Sequence, residues 1–274
     1  MIPWKPEVVI IGPGGSLAYY YVGALQALEE HGYLQNVHTY IGVSAGALVS
    51  ALMVAGYTAD QLYNESVSTE LLSLVQVNTI QSFLASWGLI SAMPLEQRLT
   101  LLFKAKFGTS PTFKELHALT GKSVIIIASD LDDRVPIVFS HTSTPDVSVV
   151  EAVVASCTVP LIFSQRTYGG HRVIDGAFTD PYPLHLGARI GNTLGVVMDN
   201  TGTDVSAPDP YPIASYTLPI HQLKQNAIDM WKDAPTVYHI GIPTTMNSMS
   251  MFSDEQKRTM VTEGYDSIKR HVPS

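Results

Sequence analysis

The run Gly42-Val43-Ser44-Ala45-Gly46 sets one serine between two glycines, where a β-rich stretch gives way to an apolar helical one. A serine on so tight a strand-to-helix turn holds its hydroxyl forward, and the glycines leave room for the chain to double back. The start of the following helix favours negative charge. These are the needs of a nucleophile in covalent acyl transfer. A plain serine N-cap satisfies the same pattern, so the motif by itself leaves both readings open.

Two further segments carry chemistry. Gly12-Pro13-Gly14-Gly15-Ser16 lies between the first apolar run and the first helical one, where glycines let backbone N–H groups converge on an anion. A dinucleotide phosphate loop is excluded on two counts: Leu17 stands where a further glycine is needed, and the second strand ends in Ser44 instead of an acidic residue. An oxyanion hole beside the serine is the better reading. Asp175-Gly176-Ala177 closes the run Gly169–Ile174. Taken alone it reads as a type I′ hairpin turn; the alternative is a carboxylate whose glycine neighbour permits close approach to another element.

These residues need a scaffold, and the pattern supplies one. Short apolar runs alternating with helical periodicity predict a parallel sheet covered by helices, a three-layer α/β/α domain occupying residues 1–274. Strands are expected at Glu7–Ile11, Val37–Val43, Ser123–Ser129, Val135–Phe139, Thr193–Met198 and Val237–Ile242, the third and fourth forming a hairpin or an antiparallel edge. Helices are expected through Val22, Leu25 and Leu28, over Ala45–Ala55, after the capping box Thr58–Gln61, after Pro94, from a cap at Asp146, and from a second capping box at Ser253 to about residue 270. The low-charge stretch 71–93 is a candidate apolar cap over an acyl chain, with core helix plus loop as the plainer reading. Asp199–Pro219 is expected to be a long proline-rich loop.

Composition narrows the function. Apolar residues make up 46% of the 274 and charged ones 15%, which supports a deep core. The net charge of −8, without a local basic patch, argues against nucleic acid as partner. The single cysteine, Cys157, excludes an internal disulfide. No apolar run is long enough for a membrane-spanning helix, and no signal peptide pattern opens the chain, so a soluble, cytoplasmic protein is expected.

Together the glycine-rich turn, the Gly-x-Ser-x-Gly elbow and the distant Asp-Gly-Ala, in that order, resemble the patatin-like phospholipase family. Gly23–Glu30, Ala128-Ser129-Asp130-Leu131 and Glu151 through Ser156 to Pro160 are similar to family segments as well. The resemblance implies a Ser44–Asp175 dyad without histidine, acting on glycerolipid acyl esters through an acyl-enzyme. It also implies an oxyanion hole from the N–H groups of Gly14, Gly15 and Ser16, elbow glycines Gly42 and Gly46, and a supporting Gly176. No metal or other cofactor is implied, and the partner is a lipid substrate at a membrane surface. The chain departs from the family at Leu17 and Ala18, where a basic residue and a glycine are usual, and at Asp180-Pro181, near the usual Asn-x-Pro. The lost cation is expected to weaken headgroup-phosphate binding or to shift the preference towards neutral lipids.

Two rivals stand beside this reading: an esterase with a Ser–His–Asp triad, for which His171 and His239 are the histidines to test, and a catalytically silent lipid- or partner-binding relative. Asp130, Asp132 and Asp133 form an acidic turn that lacks calcium-loop spacing.

Overall fold

The computed structural model describes residues 1–68, 88–199, 213–244 and 252–273. Five parallel strands run inward from one edge of the sheet in the order β10 (Val237–Pro243), β9 (Thr193–Asp199), β1 (Val8–Ile11), β2 (Thr39–Val43) and β4 (Ser123–Asp130). Every residue of β1 and β2 is buried, as expected of strands covered on both faces. The pleat divides them cleanly. Val9, Ile11 and Tyr40 enter the main core, while Val8, Ile10 and Ile41 enter a second core on the opposite face.

The main core lies under α1 (Ala18–Glu30) and α2 (Ala45–Val54), with α4 (Met93–Phe107), α5 (Phe113–Thr120), α6 (Val149–Ser156) and α9 (Asp254–Lys269) completing it. The second lies under α7 (Leu184–Gly187) and α8 (Ile213–Trp231). A short α3 (Ala59–Ser68) starts at the expected capping box, where Gln61 N–H donates to Thr58 Oγ1 at 3.2 Å and Thr58 N–H to Gln61 Oε1 at 3.2 Å. α9 crosses α1 backbone to backbone: a Cβ on Gly23 would stand 1.8 Å from the Val261 carbonyl oxygen, and one on Gly264 would stand 2.1 Å from that of Tyr20. Only glycine permits that approach.

β4 determines where the site forms, because one of its edges serves two partners in turn. β2 pairs along it as far as Val43 opposite Ile127. β8 (His171–Asp175) then takes over, antiparallel, from Asp175 opposite Ala128 to Val173 opposite Asp130. The other edge carries β5 (Val135–Phe139), antiparallel over Ile126–Asp130. β7 (Arg166–Tyr168) pairs with β8 and ends the sheet. The end of β2 and the end of β8 therefore meet head to head.

The structure corrects four expectations. Ser148, not Asp146, caps α6, accepting from the Glu151 N–H. α5 was not anticipated, although Thr112 and Glu115 form a complete capping box at its start. Ile213–Pro219 belongs to α8 instead of a loop, and Pro219 lies inside that helix; residues 200–212 of the expected loop lie outside the described ones. Of the candidate cap, residues 71–87 also lie outside them, whereas β3 (Gly88–Ile90) pairs in parallel with β6 (Leu161–Phe163) and α4 already starts at Met93.

Candidate active site

Ser44 sits at the carboxyl end of β2 with φ 56° and ψ −125°, a left-handed conformation uncommon for a residue with a side chain. Its neighbours enforce the bend. A Cβ at Gly46 would stand 2.1 Å from the Ile11 carbonyl oxygen and 2.6 Å from that of Gly12, so the first turn of α2 rests directly on the turn after β1. The Ser44 N–H donates to Ser156 Oγ at 2.8 Å, and Ser156 Oγ in turn donates to the Ile127 carbonyl at 2.5 Å. One hydroxyl from α6 thus pins the elbow to β4.

The serine N-cap reading fails here, because the Ser44 side chain makes no bond to the first turn of α2. Its Oγ donates instead to Asp175 Oδ2 at 2.5 Å, across 131 residues of chain. Asp175 is 2% exposed. Its backbone N–H donates to the Thr158 carbonyl at 2.8 Å, and its carbonyl accepts from Ser129 Oγ at 2.8 Å. Asp175 Oδ1 accepts the Ala177 N–H at 2.9 Å. The type I′ reading of Asp-Gly fails too, since Asp175 has φ −49° and Gly176 is not among the residues with positive φ. A Cβ at Gly176 would stand 2.1 Å from the Ile127 carbonyl oxygen, so this turn is pressed onto β4.

Burial raises the Asp175 carboxyl from 3.8 to about 6, against the opposing pull of the hydrogen bonds from Ser44 and Ala177. An ionised carboxylate with so raised a pKa is a better proton acceptor than an exposed one, and it holds the serine hydroxyl by its proton. This arrangement can activate an oxygen nucleophile. Asp180, also largely buried, is raised to about 6 by desolvation and lies 3.8 Å from His185 Nε2.

Gly14, Gly15 and Ser16 lie on the turn after β1, the strand beside β2. Gly15 has φ 53°. Tyr21 Oη anchors the turn by donating to the Pro13 carbonyl at 2.9 Å. Leu17, in place of the family's basic residue, is 2% exposed and belongs to the main core.

Neither histidine of the rival triad reaches this site. His239 lies on β10, in register with Gly195, Ile10 and Ile41 across successive strands. At about 4.8 Å per strand it is roughly 14 Å from β2. Burial lowers it to about 4, and its Nδ1 is 3.1 Å from Tyr182 Oη. His171 starts β8 at the opposite end from Asp175, with Nδ1 2.8 Å from Asp130 Oδ2. Asp130, Asp133 and His171 bring potential ligand atoms within 4.8 Å of one another, yet Asp130 Oδ1 already accepts the N–H groups of Asp132 and Asp133 at 2.9 Å each. Burial and the nearby Asp175 charge push the Cys157 thiol up, which suits a packing role.

Three residues that hold the site, Ser156, Ser129 and Thr158, carry no signal of that role in the sequence. All three fall within segments that resemble the family, but nothing in the local pattern of Ser156 or Ser129 says that they bond to residues 112 and 46 positions away.

Comparison with known proteins identifies the family. A family model described as patatin-like phospholipase matches residues 9–187. The probable lipid hydrolase 463L of Invertebrate iridescent virus 6 is 24% identical over 263 residues, covering 94% of this chain and 86% of that protein. The omega-hydroxyceramide transacylase of Mus musculus is 28% identical over 185 residues, 66% of this chain and 28% of that protein. The type III effector ExoU of Pseudomonas aeruginosa superposes with a TM-score of 0.60 at 16% identity, over 98% of this chain and 53% of that one. The chain thus spans about half the length of ExoU and under a third of the transacylase. With a match running from β1 through the elbow and the Asp175 turn to α7, the chain belongs to the patatin-like phospholipase family.

Proposed function

We propose that this chain is a serine-dependent lipid acyl hydrolase that cleaves glycerolipid acyl esters, a phospholipase A-type reaction. The observation that carries the reading is the buried 2.5 Å hydrogen bond from Ser44 to Asp175. In the first step Ser44 Oγ attacks the ester carbonyl carbon while Asp175 takes the hydroxyl proton. The negative charge on the carbonyl oxygen is held by the N–H groups of Gly14, Gly15 and Ser16, each such donor contributing about 3 kcal/mol to the transition state. The tetrahedral intermediate expels the lipid alcohol, which takes the proton from Asp175, and an acyl-serine ester remains. Water then attacks that ester with Asp175 again as base, releasing fatty acid and free serine.

Membership of the patatin-like family and the likeness to a probable lipid hydrolase support this reading. Its substrate resides in bilayers, so the chain works in peripheral contact with a membrane surface, from the cytoplasm. An alcohol in place of water would make the same acyl-enzyme a transacylase, the activity named for the Mus musculus relative. The test is fatty-acid release from phospholipid vesicles by purified protein. Ser44→Ala is expected to cut the rate by roughly a thousandfold or more. Undiminished release by that variant overturns the reading.

A further inference from the structure

Lys224 is 6% exposed, and it lies on α8 at the carboxyl edge of the sheet. Its Nζ donates to the Met198 carbonyl at 2.7 Å, the one acceptor it has among the described residues. An ammonium carries three N–H donors, so the remaining two have no acceptor among those residues. Burial lowers its pKa, opposed by the negative charge of Asp199. A desolvated cation held this way is costly unless something at the same edge completes its coordination.

Its position in the sheet suggests what that is. Ile11 is in register with Val196 on one side and with Gly42 on the other. Two residues onward, Met198 and Ser44 stand in one row, two strands apart, or about 10 Å. Ile220, one helical turn before Lys224, packs against the cluster of Val43, Ile127 and Ala177, which adjoins Ser44 and Asp175 in sequence, while Lys224 reaches the Met198 carbonyl. The Met198 methyl would stand 2.7 Å from a Cβ at Gly14, which puts this row against the glycine turn. Leu17 is packed in the core, while Arg98, Arg166 and Arg172 are ion-paired to Glu65, Glu96 and Asp132.

The geometry points to Lys224 as a specificity-determining residue that binds a phosphodiester oxygen of the lipid headgroup, making phosphate-bearing glycerolipids the preferred substrate. In a glycerophospholipid, about five or six bonds separate an acyl carbonyl carbon from phosphorus, a reach of about 6–8 Å. A further hydrogen bond of about 2.8 Å from a phosphate oxygen to Nζ closes the distance to the Met198 row. The inference rests on the proposed lipid hydrolysis for its choice of ligand, but its test does not depend on turnover.

The binding arm uses the full chain with Ser44→Ala, titrated calorimetrically with dihexanoylphosphatidylcholine, dihexanoylglycerol and inorganic phosphate, with and without Lys224→Met. The phospholipid is expected to bind roughly tenfold or more tightly than the neutral lipid, and Lys224→Met is expected to erase that difference. In the activity arm, the ratio of kcat/KM on the same two lipids is expected to fall by a similar factor in Lys224→Met, through KM, and Lys224→Arg should recover part of it. Equal losses on both lipids would make Lys224 a brace for Met198 and Gly14, and overturn the assignment. So would a Lys224-dependent affinity for inorganic phosphate without any preference between the lipids. If neither lipid is hydrolysed by the wild-type chain yet the binding preference and its loss are seen, the hydrolase reading fails and the site stands. If the preference is absent while hydrolysis proceeds, the site fails alone.

Discussion

Asp130 and Asp175 lie on the same β4–β8 ladder, Asp130 opposite Val173 and Asp175 opposite Ala128, yet their carboxyls shift in opposite directions. Asp130 is held low by the Asp133 N–H first, with His171 and the Asp132 N–H adding to it. Asp175 is raised to about 6 because burial outweighs its two hydrogen bonds. The lesson concerns donors and water more than residue type. A carboxylate whose surroundings supply several donors becomes a fixed anion that organises a turn; one buried with two donors remains reactive toward a proton. The two ends of one ladder serve structure and chemistry separately.

Replacing the reactive carboxyl tests that contrast most severely. Asp175→Asn is expected to lower kcat by roughly 10²–10⁴-fold while making the fold more stable at pH 7.5. The sign follows from the raised pKa. The folded chain holds this proton more tightly than the unfolded one, so the contribution to stability is full below about pH 4 and is lost as pH climbs through about 6. At pH 7.5 the ionised group therefore costs up to about 3 kcal/mol, which asparagine does not. Thermal melts should show the variant's advantage at pH 7.5 and none at pH 4. Wild-type kcat/KM should rise with pH through about 6. A variant less stable than wild type at both pH values would break the comparison.

The support behind the reactive end comes next in size. Ser156→Ala leaves the Ser44 N–H without its acceptor and the Ile127 carbonyl without its donor. A loss of about 1–3 kcal/mol in denaturant unfolding is expected, together with a drop in kcat of roughly tenfold and little change in KM. An unchanged kcat would reduce that hydroxyl to a space filler. At the far end of the ladder the effect should be smallest: His171→Ala removes an exposed partner of Asp130 and should leave hydrolysis within about twofold. Loss of activity with the fold intact would restore the histidine triad as a rival.

Much of this is legible in the sequence alone. Glu7–Ile11 and Val37–Val43 read as strands because their residues are mostly apolar, and the structure has strands at Val8–Ile11 and Thr39–Val43, buried on both faces. Ser44 and Asp175 were named from two turns that share no local pattern; only their order with the glycine turn linked them. What stayed hidden has physical causes. Pro219 argued for a loop, but α8 accommodates it because its apolar face has Val197 and Tyr182 to pack against. Lys224 gives no signal in the sequence, since a lysine on a helix looks like a solvated charge until the fold buries it. Ser156 sits in an apolar helix, and its partners are brought to it only by β2 and β4.

The place of β9 has one more consequence. The stretch matched by the family model stops at residue 187, yet the strand that flanks β1 on its outer side begins at Thr193, and the helix locked onto α1 begins at Asp254. A chain cut back to the matched stretch would leave β1 with a row of bare amide and carbonyl groups beside the glycine turn, a template for pairing with other molecules. The final third of the chain therefore supplies the strand that closes β1 on that side.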